Sequence, residues 1–189
     1  MKKLLFIINP KAGVKKNKHF VDDALEIFEK AGYKVGVKYT KKRADGTRIA
    51  RDYGAKADLI VCMGGDGTLN EVMQGMLEGE ISTPLGYIPA GSTNDFANSL
   101  GLRTNPKDQA DFIMETEAKS LDLGWFNGRY FVYTASAGIF TETSYSTPQE
   151  LKNRLGHFAY ILHGIREVFK IRRLKPRIET EDEVYENKY

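Results

Sequence analysis

The sequence predicts an α/β protein: an open, mainly parallel sheet with helices on both faces, followed by the beginning of a second, β-rich domain. Three observations predict it. Apolar runs typical of strands buried on both faces alternate with segments of helical spacing up to about residue 120. Turns that contain glycine follow three of these runs. After residue 119 the pattern changes to strand pairs, one of which is joined by Asn127-Gly128, a strong hairpin signal.

The first strand, helix and second strand occupy the N-terminal 40 residues. Residues 3–8 are a continuous apolar run, as expected for a strand of a parallel sheet that is covered on both faces. Asn17 is a suitable cap for a helix with apolar side chains at helical spacing, and Gly32 ends that helix. Residues 33–40 alternate in polarity and therefore predict a second strand.

The other half of the sheet repeats this order. Asp45 opens a predicted helix that runs to Tyr53, and residues 58–63 are the next apolar strand. A helix with apolar side chains on one face follows the glycine-rich turn, and residues 84–88 predict a fourth strand before a short helix. Because ligands of such sheets bind beyond the carboxyl ends of the strands, the turns after the strands are the expected site.

After about residue 120, the sequence no longer predicts a regular alternation of strands and helices. Residues 121–126 and 129–135 form a predicted hairpin, residues 148–172 a helix, and residues 177–189 the start of another hairpin. An isolated hairpin is marginally stable. We therefore expect these residues to be the opening of a β-rich domain that is incomplete in this chain.

The length and composition suit one complete α/β domain, residues 1–122, and part of a second domain, residues 123–189. With 41% hydrophobic and 28% charged residues, the chain has the composition of a globular protein. The apolar run at residues 4–8 is too short for a membrane span or a secretory signal. Cys62 is the only cysteine, so a disulfide framework is excluded and the cytoplasm is the expected compartment.

Three turns carry residues suited to binding a phosphorylated nucleotide: residues 9–13, 64–71 and 91–95. Glycine lets backbone N–H groups approach a phosphate closely, and the start of the following helix favours negative charge. Asp66 and Asp95 would repel a triphosphate unless Mg²⁺ lay between them. The chain lacks both the G-x-x-x-x-G-K-[ST] motif and the third glycine of the dinucleotide pattern, so the three turns together, and none alone, predict the phosphate site.

The sequences of these turns resemble the signature motifs of the diacylglycerol kinase catalytic family, and especially those of its bacterial lipid kinases. They are NPKAG at residues 9–13, GGDGTLNE at residues 64–71 and PAGSTNDF at residues 89–96. The resemblance covers nearly the whole chain. GGDGT alone is shared with NAD kinases and, in near form, with phosphofructokinases, whereas Asn94-Asp95 indicates the lipid branch.

The resemblance implies transfer of the γ-phosphate of ATP to the hydroxyl of diacylglycerol or a related lipid, with Mg²⁺. Asp122 matches an aspartate tied to a structural Mg²⁺ network between the two domains. Ser92 stands where the family usually has threonine, and it retains the hydroxyl group. The residues that the resemblance implies hold ATP are Asn9, Pro10, Lys11, Ala12, Gly13, Thr40, Gly65, Asp66, Gly67, Thr68, Leu69, Asn70, Glu71, Ser92, Asn94 and Asp95.

The catalytic base implied by the resemblance would lie beyond residue 189. Asp182 and Glu183 are carboxylates in the second predicted hairpin, but no motif surrounds them. The chain is therefore expected to bind nucleotide better than it catalyses. The alternative is a non-catalytic nucleotide-binding fragment or regulatory module, and phosphorylation of NAD is a weaker third interpretation.

Residues 151–177 combine an apolar face with a basic C-terminal part. We expect the apolar face to pack on the second domain, since core helices are common, and the basic part to favour peripheral contact with the inner face of a membrane. No aromatic interleaving or recognition motif supports a nucleic acid partner. The predicted partners are thus ATP and a lipid substrate at the membrane surface. A homodimer is left open.

Overall fold

A computed structural model describes residues 1–12, 18–103, 105–135, 177–179 and 184–186. The chain divides into two compact units, Met1–Thr134 and Ala135–Tyr189. The predicted cap Asn17 and the predicted helix at residues 148–172 lie outside the described residues. The sites considered below are built from the first unit.

The core of the first unit is a four-stranded sheet in which every neighbouring pair of strands is parallel. The strand order is β2-β1-β3-β4, so the two central strands are β1 and β3. The predicted parallel sheet is confirmed. The strands are β1 (Lys2–Ile8), β2 (Tyr33–Tyr39), β3 (Leu59–Gly64) and β4 (Leu85–Pro89).

Within the described residues of the first unit, five α-helices connect and follow these strands. Four of them match predicted helices. The last was not predicted, although its start carries a recognisable signal: the Asn105 side chain accepts a hydrogen bond from the Lys107 N–H, and Pro106 occupies the first turn. The helices are α1 (Lys18–Lys30), α2 (Asp45–Tyr53), α3 (Asp66–Glu78), α4 (Asp95–Ser99) and α5 (Pro106–Glu115).

Helices cover both faces of the sheet, as predicted. Successive side chains of β1 point to opposite faces because a strand has a period of two. Phe6 therefore packs in one cluster with Phe28 of α1, and Ile7 packs in another with Ile49 of α2 and Val72 of α3. This double coverage explains why the sequences of the two central strands, β1 and β3, are continuous apolar runs.

The hairpin predicted at Asn127-Gly128 is present. Strands β5 (Gly124–Phe126) and β6 (Arg129–Phe131) pair antiparallel, and both turn residues have positive φ, 47° and 81°, as a type I′ turn requires. The hairpin belongs to the same compact unit as the sheet. The boundary of a substrate-binding domain after residue 122 stays a prediction.

A second antiparallel pair, β7 (Arg177–Glu179) and β8 (Val184–Glu186), lies where the sequence predicts another hairpin. In the described part of the chain, no helix is both long enough and apolar enough to cross a bilayer.

Candidate functional site

The parallel sheet brings the residues that follow its strands to one edge. The Thr40 N–H donates to the Ile8 carbonyl oxygen at 2.9 Å, and the Ala90 N–H donates to the Gly64 carbonyl oxygen at 2.8 Å. The ladder of sheet hydrogen bonds thus continues one residue past the ends of the strands. Asn9, which follows Ile8 at the end of β1, lies between the connections after β2 and β3.

Two of the glycine turns are in backbone contact. A Cβ atom added to Gly91 would lie 2.6 Å from the Gly65 Cα, closer than carbon atoms approach without a bond. A Cβ added to Gly64 would lie 2.6 Å from the Thr68 Cβ. The turns after β3 and β4 therefore need glycine because the chain approaches itself there.

Asn9 connects the first turn to the second. Its Nδ2 donates to the Thr68 Oγ1 at 2.9 Å, and its Oδ1 accepts from the Lys11 N–H at 3.0 Å. Pro10 and Lys11 are exposed. Gly13 lies outside the described residues.

Asp66 connects the second turn to the third. Its Oδ2 accepts from the Asp95 N–H at 3.0 Å, and its Oδ1 accepts from the Phe96 N–H at 3.2 Å. The carboxylate thus satisfies backbone donors at the start of α4, which the side chain of the preceding residue leaves uncapped. These bonds place Asp95 next to Asp66.

Asn94 shapes the third turn internally. Its Oδ1 accepts from the Gly91 N–H at 2.7 Å, and its Nδ2 donates to the Gly91 carbonyl oxygen at 3.1 Å. Asn94 has a φ of 52°, a conformation that asparagine tolerates better than most residues. Ser92 is exposed, so its hydroxyl is accessible to a ligand.

The start of α3 offers backbone donors. No side chain caps this helix at Gly65, and the first N–H groups of an α-helix have no partner within the helix. They carry the positive end of the helix dipole. Because Gly67 is exposed and leaves space around its Cα, an anion is able to approach these groups.

Thr40 is buried at the same edge, with 8% of the residue exposed. Its backbone N–H is bonded to β1, but its hydroxyl has no hydrogen-bond partner among the described residues. Buried hydroxyls are nearly always hydrogen-bonded. A buried hydroxyl without a described partner, at the same edge of the sheet as three turns rich in backbone donors, therefore indicates a position at which a ligand supplies the missing hydrogen bond.

Some of the residues expected at the site face away from it. The Leu69 side chain is 2% exposed and lies in the apolar core beneath α3. Ala12 packs against the core on the opposite face. Only the backbone of Leu69 is left to meet a ligand, and Asn70, which is half-buried, keeps an available side chain.

Glu71 also faces elsewhere. Its Oε1 accepts from the Ala44 N–H at 2.9 Å and its Oε2 accepts from the Gly46 N–H at 3.1 Å. Both carboxylate oxygens are therefore bonded to the backbone that precedes and begins α2.

Two residues outside the predicted set support the edge. Asp45 is buried, and its Oδ2 accepts from the N–H groups of Lys41 and Lys42. These bonds, with that to Lys41 first, hold the pKa of the Asp45 carboxyl below its ordinary value. From the sequence alone, Asp45 is predicted only to begin a helix.

Tyr87 lies under the glycine turn. Its hydroxyl donates to the Gly64 carbonyl oxygen at 3.1 Å. Burial, and then the charge of Asp66, raise the pKa of this hydroxyl well above its ordinary value, so Tyr87 is a neutral donor. Burial likewise raises the pKa of the Cys62 thiol, which is thus an unreactive core residue. No sequence signal distinguishes Tyr87 from the other apolar positions of its strand.

Asp122, the residue matched to a structural Mg²⁺ network, is exposed. Within the described ranges there is no cluster of three or more histidine, cysteine, aspartate or glutamate side chains that would hold a metal by itself. A metal-binding role for Asp122 stays a prediction.

Comparison with known proteins agrees with the motifs. The profile of the diacylglycerol kinase catalytic domain matches residues 3–126. The chain is 38% identical over 186 residues to a diacylglycerol kinase of Staphylococcus saprophyticus, spanning 98% of this chain and 61% of that protein. It is 36% identical over 188 residues to a diacylglycerol kinase of Bacillus subtilis, spanning 98% of this chain and 62% of the relative.

The fold agrees as well. A crystal structure of a diacylglycerol kinase from Bacillus anthracis superimposes with a TM-score of 0.74 at 30% sequence identity, covering 99% of this chain and 61% of that one. The chain thus spans about three fifths of the length of these relatives. The motifs, the parallel sheet and the profile match over about two thirds of the chain support the same assignment. The chain belongs to the diacylglycerol kinase catalytic domain family.

Proposed function

We propose that this chain is the ATP-binding part of a lipid kinase that transfers the γ-phosphate of ATP to the hydroxyl of diacylglycerol or a related lipid. Membership of the family supports the reaction class. The geometry of the sheet edge supports the nucleotide site. Phosphoryl transfer is catalysed mainly by positioning and by electrostatic stabilisation, both of which an edge of fixed backbone donors supplies.

The observation that carries the proposal is the buried Thr40 hydroxyl, which has no hydrogen-bond partner among the described residues and lies at the same edge of the sheet as the uncapped start of α3. In the proposed complex, the N–H groups at the start of α3 and the turn at residues 9–13 bind phosphate oxygens. Thr40, Asn70, Ser92 and Asn94 supply neutral hydrogen bonds. Thr68 acts through its bond to Asn9.

The described residues fit a Mg²⁺ ion that is bound together with the nucleotide. Mg²⁺ typically takes one or two carboxylates, and its other ligands are phosphate oxygens and water. Asp95 is an exposed carboxylate at the edge, and Asp66 lies beside it with both oxygens already accepting N–H groups. Asp95 is therefore the proposed ligand. The ion would supply charge neutralisation between the carboxylate and the triphosphate.

The acceptor side of the proposed reaction rests on the family alone. The base that takes the proton of the lipid hydroxyl is proposed to lie beyond residue 189, and Asp122 is proposed to join a structural Mg²⁺ network between the domains. The protein is further proposed to be cytoplasmic and to make peripheral contact with the membrane that holds the lipid. Whether it forms a homodimer is left open. The basic residues at 166–176 that would favour this contact lie outside the described residues.

A pair of threonine substitutions tests the nucleotide site. Thr40→Val removes a buried hydroxyl that has no partner in the described part of the chain, so stability should be unchanged or raised. The affinity for ATP should fall about tenfold, the effect of one good hydrogen bond. Thr83→Val is the matched control, since the Thr83 hydroxyl bonds the carbonyl oxygens of Gly54 and Ala57. It should lower the melting temperature and leave the affinity for ATP intact.

Titration calorimetry with ATP and Mg²⁺, and thermal unfolding, give the two readouts. Equal affinities for ATP in wild type and Thr40→Val would remove Thr40 from the site. Because the proposed base lies beyond residue 189, the acceptor is tested on a protein that includes this chain and continues past that residue, incubated with γ-labelled ATP, diacylglycerol vesicles and NAD. Label in the lipid supports the kinase, label in NAD overturns the lipid assignment, and binding without transfer supports a nucleotide-binding module.

A further inference from the structure

Glu71 lies on α3, one turn after the glycine-rich turn, yet its carboxylate bonds the backbone of a different connection. Its two oxygens accept from the N–H groups of Ala44 and Gly46 at 2.9 and 3.1 Å. Both oxygens of the side chain are thereby used. Glu71 belongs to the motif that the resemblance assigns to ATP, but its contacts are with the protein.

The backbone that Glu71 holds is the loop of residues 40–46, which begins with Thr40. A second carboxylate holds the same loop from within, since Asp45 accepts from Lys41 and Lys42. Ala44 has a φ of 66°, a conformation that costs a residue with a Cβ about 1 kcal/mol or more. Such strain persists where the surrounding contacts determine the conformation.

The two helices that Glu71 connects are in close contact. A Cβ added to Gly46 would lie 2.9 Å from the Glu71 Cβ. A Cβ added to Gly75 would lie 2.1 Å from the carbonyl oxygen of Thr47. The backbones of α2 and α3 therefore touch along this seam, and the position of the loop before α2 is fixed relative to the start of α3.

We propose that Glu71 is a positioning residue: through Ala44 and Gly46 it holds the loop that carries Thr40 in register with the donors at the start of α3. This inference rests on the proposed nucleotide site. It assigns Glu71 an indirect role, in which ATP binding depends on the Glu71 carboxylate only by way of Thr40.

A double-mutant cycle separates an indirect role from direct contact. In Glu71→Gln one oxygen is replaced by an NH₂ group that faces a backbone N–H. We expect the affinity for ATP to fall about tenfold, because hydrogen bonds to a charged group are among the stronger ones, and amide exchange in residues 41–47 to accelerate. In the Thr40→Val background, Glu71→Gln should weaken ATP binding less than twofold. Equal losses in both backgrounds would show that Glu71 acts independently of Thr40, and the positioning role would be wrong.

Glu78→Gln is the matched control, because Glu78 lies on the same helix and contacts α2 through the Arg51 side chain at 3.4 Å. It should change neither ATP affinity nor exchange in residues 41–47. Gly46→Ala displaces the Glu71 side chain without altering its charge, and it should reproduce the loss of ATP affinity seen in Glu71→Gln.

The outcomes distinguish this inference from the proposed function. If wild type binds ATP and Glu71→Gln binds it equally well, the positioning role is wrong and the nucleotide site stands. If wild type fails to bind ATP, the proposed function fails, and the positioning role fails with it. Circular dichroism on each variant confirms that it is folded before the affinities are compared.

Discussion

The turn after β3 and the connection after β2 lie at the same edge of the sheet but are held by different means. The turn after β3 is held by close backbone approach, so that Gly64 and the facing Gly91 have no space for a side chain. The loop of residues 40–46 is held by two carboxylates, Asp45 and Glu71, which accept four of its N–H groups. Steric contact preserves the first, and hydrogen bonding preserves the second.

The difference indicates how each part should respond to change. Close backbone contact leaves no room for an added atom at Gly64 or at the facing Gly91, and this steric constraint does not depend on pH. A loop held by carboxylates tolerates added atoms where they do not meet Glu71, but it depends on ionisation and on the geometry of single hydrogen bonds. Substitutions in the two places test this contrast.

Gly91→Ala should destabilise the protein most, by about 3 kcal/mol, the upper part of the usual range for an added core atom. The new Cβ would lie 2.6 Å from the Gly65 Cα and 2.7 Å from the Asn94 Oδ1, so two turns must move apart. Gly67→Ala is the control, since no atom lies within 4 Å of its added Cβ, and it should raise stability by about 0.5 kcal/mol. Urea unfolding measures both, and equal stabilities would contradict a sterically held turn.

Tyr87→Phe should cost about 1 kcal/mol, the typical value of one buried hydrogen bond. The loss is limited because the Gly64 carbonyl oxygen also accepts from the Ala90 N–H. Tyr39→Phe, at an exposed tyrosine, should change stability by less than about 0.5 kcal/mol. A cost for Tyr87→Phe as large as that for Gly91→Ala would show that hydrogen bonding, too, holds the glycine turn.

Ala44→Gly should stabilise the protein by about 0.5 kcal/mol, because relief of the positive φ outweighs the greater freedom of glycine in the unfolded chain. Ala57→Gly is the control at an ordinary extended position, with φ −105°, and it should destabilise the protein by a similar amount. Chemical denaturation of both variants gives the sign. A destabilised Ala44→Gly would mean that Ala44 is not strained.

Asp45 should make the loop sensitive to acid. Its pKa is lowered in the folded protein by the N–H groups of Lys41 and Lys42, so its contribution to stability is present above about pH 3.9, the usual aspartate value, and is lost as the pH falls through the folded pKa. The difference in stability between wild type and Asp45→Asn should be constant near neutral pH and close on acidification. A gap that does not narrow at any pH below about 3.9 would contradict this assignment.

Local patterns in the sequence were sufficient for the strands, for most helices and for the positions of the three turns. The apolar runs predict parallel strands because both faces are covered, and Asn127-Gly128 predicts its hairpin because these residues accept positive φ. Helix α5 was not predicted, although Asn105-Pro106 is a start signal. Leu69 was expected at the site because the resemblance assigned the motif at residues 65–71 to ATP as a whole. Its side chain lies in the core instead, because helical periodicity places it on the buried face of α3.

Which residues lie at the edge follows from the order of the chain, because in a parallel sheet the position along the chain decides which end of a strand a residue follows. What those residues touch depends on tertiary packing. Asp66 with α4, Glu71 with the loop before α2 and Tyr87 with Gly64 are contacts between residues 23 to 30 positions apart. Such contacts arise from how whole elements pack, and no local spacing encodes them.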